Sequence, residues 1–173
     1  MTQDTERKYH MNRSIFLTSC GLSDEMKASI TETMHALKKA GVKGSYVPSQ
    51  NLHLTLAFIG EVKGSAAVKE ALQTVKIKPF RLSLSEMGTF GDLLWVGLKG
   101  NQGLSAVVRD VRGALDAAGI DYDKKKFVPH ITIIRKMNGN WKSVPAPKGE
   151  MMVRKISLMK SEVKDGKRVY TEI

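Results

Sequence analysis

A single cysteine, Cys20, stands among the 173 residues. That excludes an internal disulfide and a cysteine-built zinc cage, and it suits a reducing cytoplasm. No apolar run approaches the roughly 20 residues that a membrane-crossing helix needs. The opening stretch, MTQDTERKYHMNR, lacks the apolar segment of a secretory signal. Residues 1–12 read as a loose, disordered leader ahead of a single domain over 13–173, and Met11 offers an alternative start. Acidic residues are scarce too: 17 Asp and Glu against 28 Lys and Arg leave a net charge of +11. Hydrophobic residues at 42% and charged residues at 26% fit neither a disordered chain nor a membrane protein.

The positive excess is concentrated in the last third, where residues 124–173 hold 13 Lys or Arg against 4 Asp or Glu, a surplus of +9. A basic surface draws polyanions, nucleic acid foremost. The alternative is a solvated face that aids solubility, and the run Lys124-Lys125-Lys126 carries the same two readings.

Periodicity divides the chain into alternating elements. Ser14–Cys20 reads as a strand. Ser23 reads as the N-cap of a helix whose face carries Met26, Ile30, Thr33 and Leu37 and which Gly41 stops. Leu52, Leu54, Leu56 and Phe58 alternate with His53, Thr55 and Ala57, the pattern of a strand with two unlike faces. A second helix over Ala66–Val75, a strand over Phe80–Ser85 and a buried strand over Leu93–Leu98 follow. Then come a helix over Leu104–Ala118 stopped by Gly119, a strand over His130–Arg135, and a closing hairpin of Met151–Lys160 with Lys167–Ile173. The two halves echo one another. Each runs strand, helix, stopping glycine and a Val-Pro pair, and ends in a His-x-Thr strand; the histidines lie 77 residues apart and the glycines 78.

Of the four histidines, His10 falls in the leader and His35 lies off the apolar stripe of the first helix. His53 and His130 differ because a threonine follows each by two residues. Positions i and i+2 of a strand share a face, about 6.5–7 Å apart. His53 with Thr55, and His130 with Thr132, therefore each present an imidazole beside a hydroxyl. With the strands adjacent, the four groups ring one small cavity. An imidazole titrates near pH 6.5 unperturbed, so one ring can accept a proton from water while the other donates one to a departing oxygen. Threonine hydroxyls can donate to non-bridging phosphate oxygens, where charge builds up. A phosphodiester, and a strained cyclic phosphate in particular, suits that set. A catalytic zinc would need a third ligand, and no further His or acid stands close to either motif.

These residues carry a resemblance. NLHLTLAFIGE, with His53, Thr55, Phe58, Gly60 and Glu61, resembles the first motif of the 2H phosphoesterase superfamily, in its branch of RNA 2′,3′-cyclic phosphodiesterases, also named 2′-5′ RNA ligases. FVPHITIIRK, with Pro129, His130, Thr132 and Arg135, resembles the second motif; LLWVGL and the C-terminal ISLMKSEVKDGKRVYTEI resemble its central strand and closing hairpin. The resemblance implies an α+β fold (α/β in the broad sense), bilobal, with two pseudo-symmetric antiparallel-sheet lobes, helices outside and a central cleft. It implies hydrolysis of ribose 2′,3′-cyclic phosphate ends to 2′-phosphomonoesters with no metal and no cofactor, His53 protonating the leaving 3′ oxygen and His130 activating water. It gives Arg135 a role in binding phosphate or base. Strict alternation puts Arg135, five residues after His130, on the opposite face, unless the strand ends or bulges before it. Phe90 is a candidate base-stacking platform, or else an aromatic covering the core. The expected partners are RNA with cyclic phosphate ends or small cyclic nucleotides, met by a monomer in the cytoplasm. The competing function is an RNA-binding module on the same fold with lapsed chemistry. Ligation through a 2′-5′ bond is permitted on the same residues by microscopic reversibility.

Overall fold

The computed structural model describes residues 15–62 and 64–173. The leader at 1–12, with His10 and Met11, lies outside them.

The first half begins with strand β1 (Ile15–Gly21) and helix α1 (Asp24–Lys39), and continues through β2 (Lys43–Tyr46) and a single 3-10 turn at Ser49–Asn51 to β3 (His53–Gly60). Helix α2 (Ala66–Gln73) and strand β4 (Phe80–Phe90) bridge to the second half, which runs β5 (Leu93–Leu98), α3 (Gln102–Ala117) and β6 (His130–Asn138). Three strands close the chain: β7 (Glu150–Val153), β8 (Ser157–Lys164) and β9 (Lys167–Glu172). They form two antiparallel sheets, one ordered β3-β1-β8-β9 and the other β2-β6-β5-β4-β7. The fold is α+β, as the resemblance implies.

The internal echo is physical. Ser23 Oγ accepts from the Met26 N–H at 3.2 Å to start α1, and Asn101 Oδ1 accepts from the Leu104 N–H at 2.7 Å to start α3. Both helices end in the same double closure. Gly41 N–H donates to Lys38 O and Val42 N–H to Leu37 O; Gly119 N–H donates to Asp116 O and Ile120 N–H to Leu115 O. Both glycines sit in the left-handed region, at φ +85° and +68°.

Three features differ from the periodicity reading. Residues 43–46 form β2, which leaves the first half and joins β6 of the second; its burial is mostly exposed and gives no alternation to read. The predicted strand at Met151–Lys160 is two strands. Its first part pairs with β4, the chain then crosses between sheets at residues 154–156, and β8 pairs with β1 and β9. Both parts carry a buried anchor, Val153 and Leu158, so apolar content alone does not mark the crossing. Finally, β4 runs on to Phe90, and Gly91-Asp92 is a tight two-residue turn with Phe90 opposite Leu93. The positive φ falls on Gly91 alone of the two, as a type II′ hairpin requires.

The non-histidine faces of β3 and β6 lie in one continuous core. Leu54, Ile131 and Ile133 are fully buried and Leu56 nearly so, in a cluster that also takes in Ile30, Leu115 and Leu158. This burial fixes which way the histidines face, since slipping either strand by one residue would put its histidine in the core. Leu54→Ala is expected to cost about 2–5 kcal/mol in urea unfolding, as for other buried Leu truncations; a loss below about 1 kcal/mol would show that the strand is not anchored by this face.

Candidate active site

Strands β3 and β6 belong to different sheets, yet their Cα atoms approach within 8 Å. Along this seam His53, Thr55, His130, Thr132 and Arg135 line one open recess of about 330 Å³, together with the buried Val47 and Asn51. The five are half-buried, which leaves them reachable from solvent while partly desolvated.

Each ring is oriented by the same device. Nδ1 of His53 lies 2.7 Å from the carbonyl oxygen of Asn51, and Nδ1 of His130 lies 2.7 Å from that of Val128. A carbonyl only accepts, so both Nδ1 atoms carry a proton and donate it. The nitrogen left to take up or release a proton is Nε2 in both rings. His53 Nε2 lies 3.1 Å from Thr55 Oγ1, the within-strand pair that the i, i+2 spacing predicts. Rings stack behind. Tyr170 of β9 packs on His53 with centroids 4.7 Å apart, and Phe90 meets His130 edge-on at 5.1 Å, with Trp95 at 6.3 Å.

Arg135 reaches the recess because β6 bulges. Trp95 is opposite Thr132 and Leu94 is opposite Ile134, so Ile133 is the extra residue and Ile133 and Ile134 are both buried. After the bulge, Arg135 returns to the face of His130 and Thr132. Strand β3 bulges at the matching place: Ser19 is opposite Thr55 and Thr18 is opposite Ala57, leaving Leu56 extra. Leu56 and Ile133 are 77 residues apart, the same offset as the histidines. Strand β2 supports the turned-out Arg135, with Ser45 as its ladder partner. Gly44 permits that approach, because a Cβ there would meet Ile134 Cγ2 at 2.6 Å and the Arg135 carbonyl at 2.8 Å.

Phe90 stands behind the His130 ring and is not among the residues lining the recess. His35 is exposed on α1, away from the recess. Three residues at the site escaped the periodicity argument. Asn51 carries the carbonyl that holds His53, and its Nδ2 donates to Arg168 O of β9 at 3.0 Å. Tyr170 sits two residues further along that strand. Trp95 occupies space left by Gly88, where a Cβ would come within 2.5 Å of the indole. Only Trp95 carried a sequence signal, as the aromatic of the central strand. Among the described residues, no three His, Cys, Asp or Glu side chains are close enough to share a metal ion.

Residues 26–165 match the sequence profile of the 2′-5′ RNA ligase superfamily. The chain belongs to that superfamily. It is 34% identical over 138 residues to the RNA 2′,3′-cyclic phosphodiesterase of Geobacillus stearothermophilus, a match covering 75% of this chain and 44% of that one. The chain thus spans less than half the length of that relative. The Aquifex aeolicus RNA 2′,3′-cyclic phosphodiesterase is 30% identical over 167 residues, covering 84% of this chain and 89% of its own. Among solved structures, Escherichia coli LigT complexed with 3′-AMP superposes with a TM-score of 0.78 at 25% identity, over 92% of this chain and 95% of that one. The superfamily fold is therefore shared along most of the chain.

Cys20 lies beside this seam on β1, opposite Leu54. Burial pushes its thiol up to about 12, so it stays protonated across the physiological range and is no nucleophile. Alkylation by iodoacetamide is expected to be slow in the native protein and fast only after unfolding. Rapid native labelling would place the thiol in solvent.

Proposed function

We propose that this chain is a hydrolase opening ribose 2′,3′-cyclic phosphate ends of RNA to 2′-phosphomonoesters, by acid–base catalysis between His53 and His130. The observation that carries the reading is the single recess in which two imidazoles, each with Nδ1 committed to a main-chain carbonyl, stand with two threonines. Relatives named RNA 2′,3′-cyclic phosphodiesterase support the same chemistry.

In the proposed reaction, neutral His130 takes a proton from water through Nε2 as the water oxygen bonds to phosphorus. The bond from phosphorus to the 3′ oxygen breaks, and His53, protonated at Nε2, gives that oxygen its proton. The phosphate remains on the 2′ oxygen. The carbonyls of Asn51 and Val128 favour the cationic form of whichever ring holds the second proton, since a hydrogen bond from an imidazolium is stronger than one from a neutral ring. Thr55, Thr132 and Arg135 line the same recess, and the scheme gives them the non-bridging oxygens, on which charge gathers. Phe90 packs behind His130, which favours a bracing role over base stacking. A binding module with lapsed chemistry is disfavoured, because both imidazole–hydroxyl pairs are intact and face one recess. The chain is read as a cytoplasmic monomer. Among the described residues, no helix is long and apolar enough to cross a membrane.

Hydrolysis of a nucleoside 2′,3′-cyclic phosphate is expected to continue in excess chelator, since the scheme uses only side chains; activity lost to chelator and restored by zinc would replace it with a metal mechanism. His53→Ala and His130→Ala should each lower kcat by about 10²–10⁴-fold, and the double variant should lose less than the product of the two. The pH profile of kcat/KM should be bell-shaped, with both limbs belonging to the coupled pair. A single limb in the wild type, or near-normal turnover by His53→Ala, would refute the two-histidine assignment.

A further inference from the structure

A second recess of about 380 Å³ adjoins the first, with Thr55 and His130 lining both. Its cationic wall is Arg112, Lys125 and Lys126, against one acid, Asp123; Phe58 and Phe127 supply an apolar side. The loop bearing these lysines is built, not loose. Asp123 N–H donates to Phe58 O of β3 at 2.8 Å, tying the second half's loop to the first half's histidine strand. The Asp123 carboxylate accepts from the Lys125 N–H at 3.1 Å. Arg112 of α3 donates through Nη2 to the Lys125 carbonyl at 2.9 Å and lies 5.7 Å over the Tyr122 ring, whose hydroxyl donates to Asp116 at 3.1 Å. The Arg112 Nε–H is buried without a hydrogen-bond acceptor, while Nη2 is held by the Lys125 carbonyl, so the guanidinium is fixed as a positive charge in this wall.

We propose that this recess is a subsite for the phosphate on the 5′ side of the terminal ribose, so that the protein prefers RNA ends to free cyclic nucleosides. The inference rests on the hydrolase reading above. It follows from continuity. A cyclic phosphate gripped between the histidines keeps its ribose at the seam, and the only other anion near that ribose in an RNA chain is the phosphate on its 5′ oxygen. A recess that shares Thr55 and His130 with the first, and whose charged side chains are three cations to one acid, suits that anion. Phe127 and Phe58 offer contact to the sugar between them.

The test compares kcat/KM for a nucleoside 2′,3′-cyclic phosphate bearing either a 5′-hydroxyl or a 5′-phosphate. The 5′-phosphate should raise kcat/KM by roughly ten-fold at low salt, the worth of one charge-assisted contact. That advantage should shrink steadily as salt rises. Joint Lys125→Ala and Lys126→Ala substitution should bring the ratio close to one, while Lys125→Arg with Lys126→Arg should keep it. Both lysines are exposed, so neither pair of substitutions disturbs the core. A ratio near one in the wild type, or one that survives the alanine pair, overturns the subsite and leaves the hydrolase reading standing. Failure of the wild type to open either substrate overturns the hydrolase reading, and the subsite with it.

Discussion

The site depends on one hydrogen bond made twice: an imidazole Nδ1–H to the carbonyl two residues earlier in its own chain. Because the donor and acceptor lie in one short stretch, the bond fixes the ring relative to its own strand. It also decides the chemistry. With Nδ1 committed, Nε2 is the nitrogen through which either ring can exchange a proton, and rotation of either ring gives up that hydrogen bond, part-buried at His53 and exposed at His130, a loss on the order of 1 kcal/mol at the part-buried ring. The rest of the molecule serves to bring two such strand ends together. Leu54 and Ile131 anchor their backs, and rings from β4, β5 and β9 fill the space behind the imidazoles.

The matched bulges at Leu56 and Ile133 extend this logic. A regular strand would keep His130 and Thr132 on the cleft face and send Arg135 to the core. One extra residue reverses that parity, so two consecutive apolar side chains go inward and the next polar one comes out. In β3 the same step brings Phe58, which stays buried, to the lining of the second recess. One backbone device thus gives the two lobes different functional side chains at equivalent positions, a cation in one and an aromatic in the other.

What the sequence made legible was whatever local rules govern. The cap at Ser23, stopping glycines at 41 and 119, and the shared face of His-x-Thr are decided within a few residues, and the structure carries them all. The spacing of the halves exposed the duplication before any coordinates. Contacts between distant segments were not legible. Tyr170 lies 117 residues from His53, and nothing in Lys167–Glu172 marks its ring as the one that stacks there. Strand β2 crossing to the other half, and the sheet change between Val153 and Ser157, are choices of partner, to which hydrophobic alternation is blind. The bulge lay between these cases: the Ile133-Ile134 pair was visible, but only the pairing with Leu94 and Trp95 shows which residue is extra.

A duplicated architecture suits this particular reaction for a geometric reason. Displacement at phosphorus is in line, with the entering and leaving oxygens on opposite sides of the atom. A proton must leave the first as another reaches the second. Two half-sites facing each other across a seam supply one imidazole per side, and a group on one strand alone would serve only one oxygen. The near-equivalence of the halves also means that neither ring is built solely as acid or solely as base; what breaks the symmetry is which oxygen carries the rest of the RNA. If a 5′-hydroxyl of a second strand occupies the water's place, the same two proton transfers run toward a 2′-5′ bond. Hydrolysis and ligation on these residues would then differ in the occupant of one position.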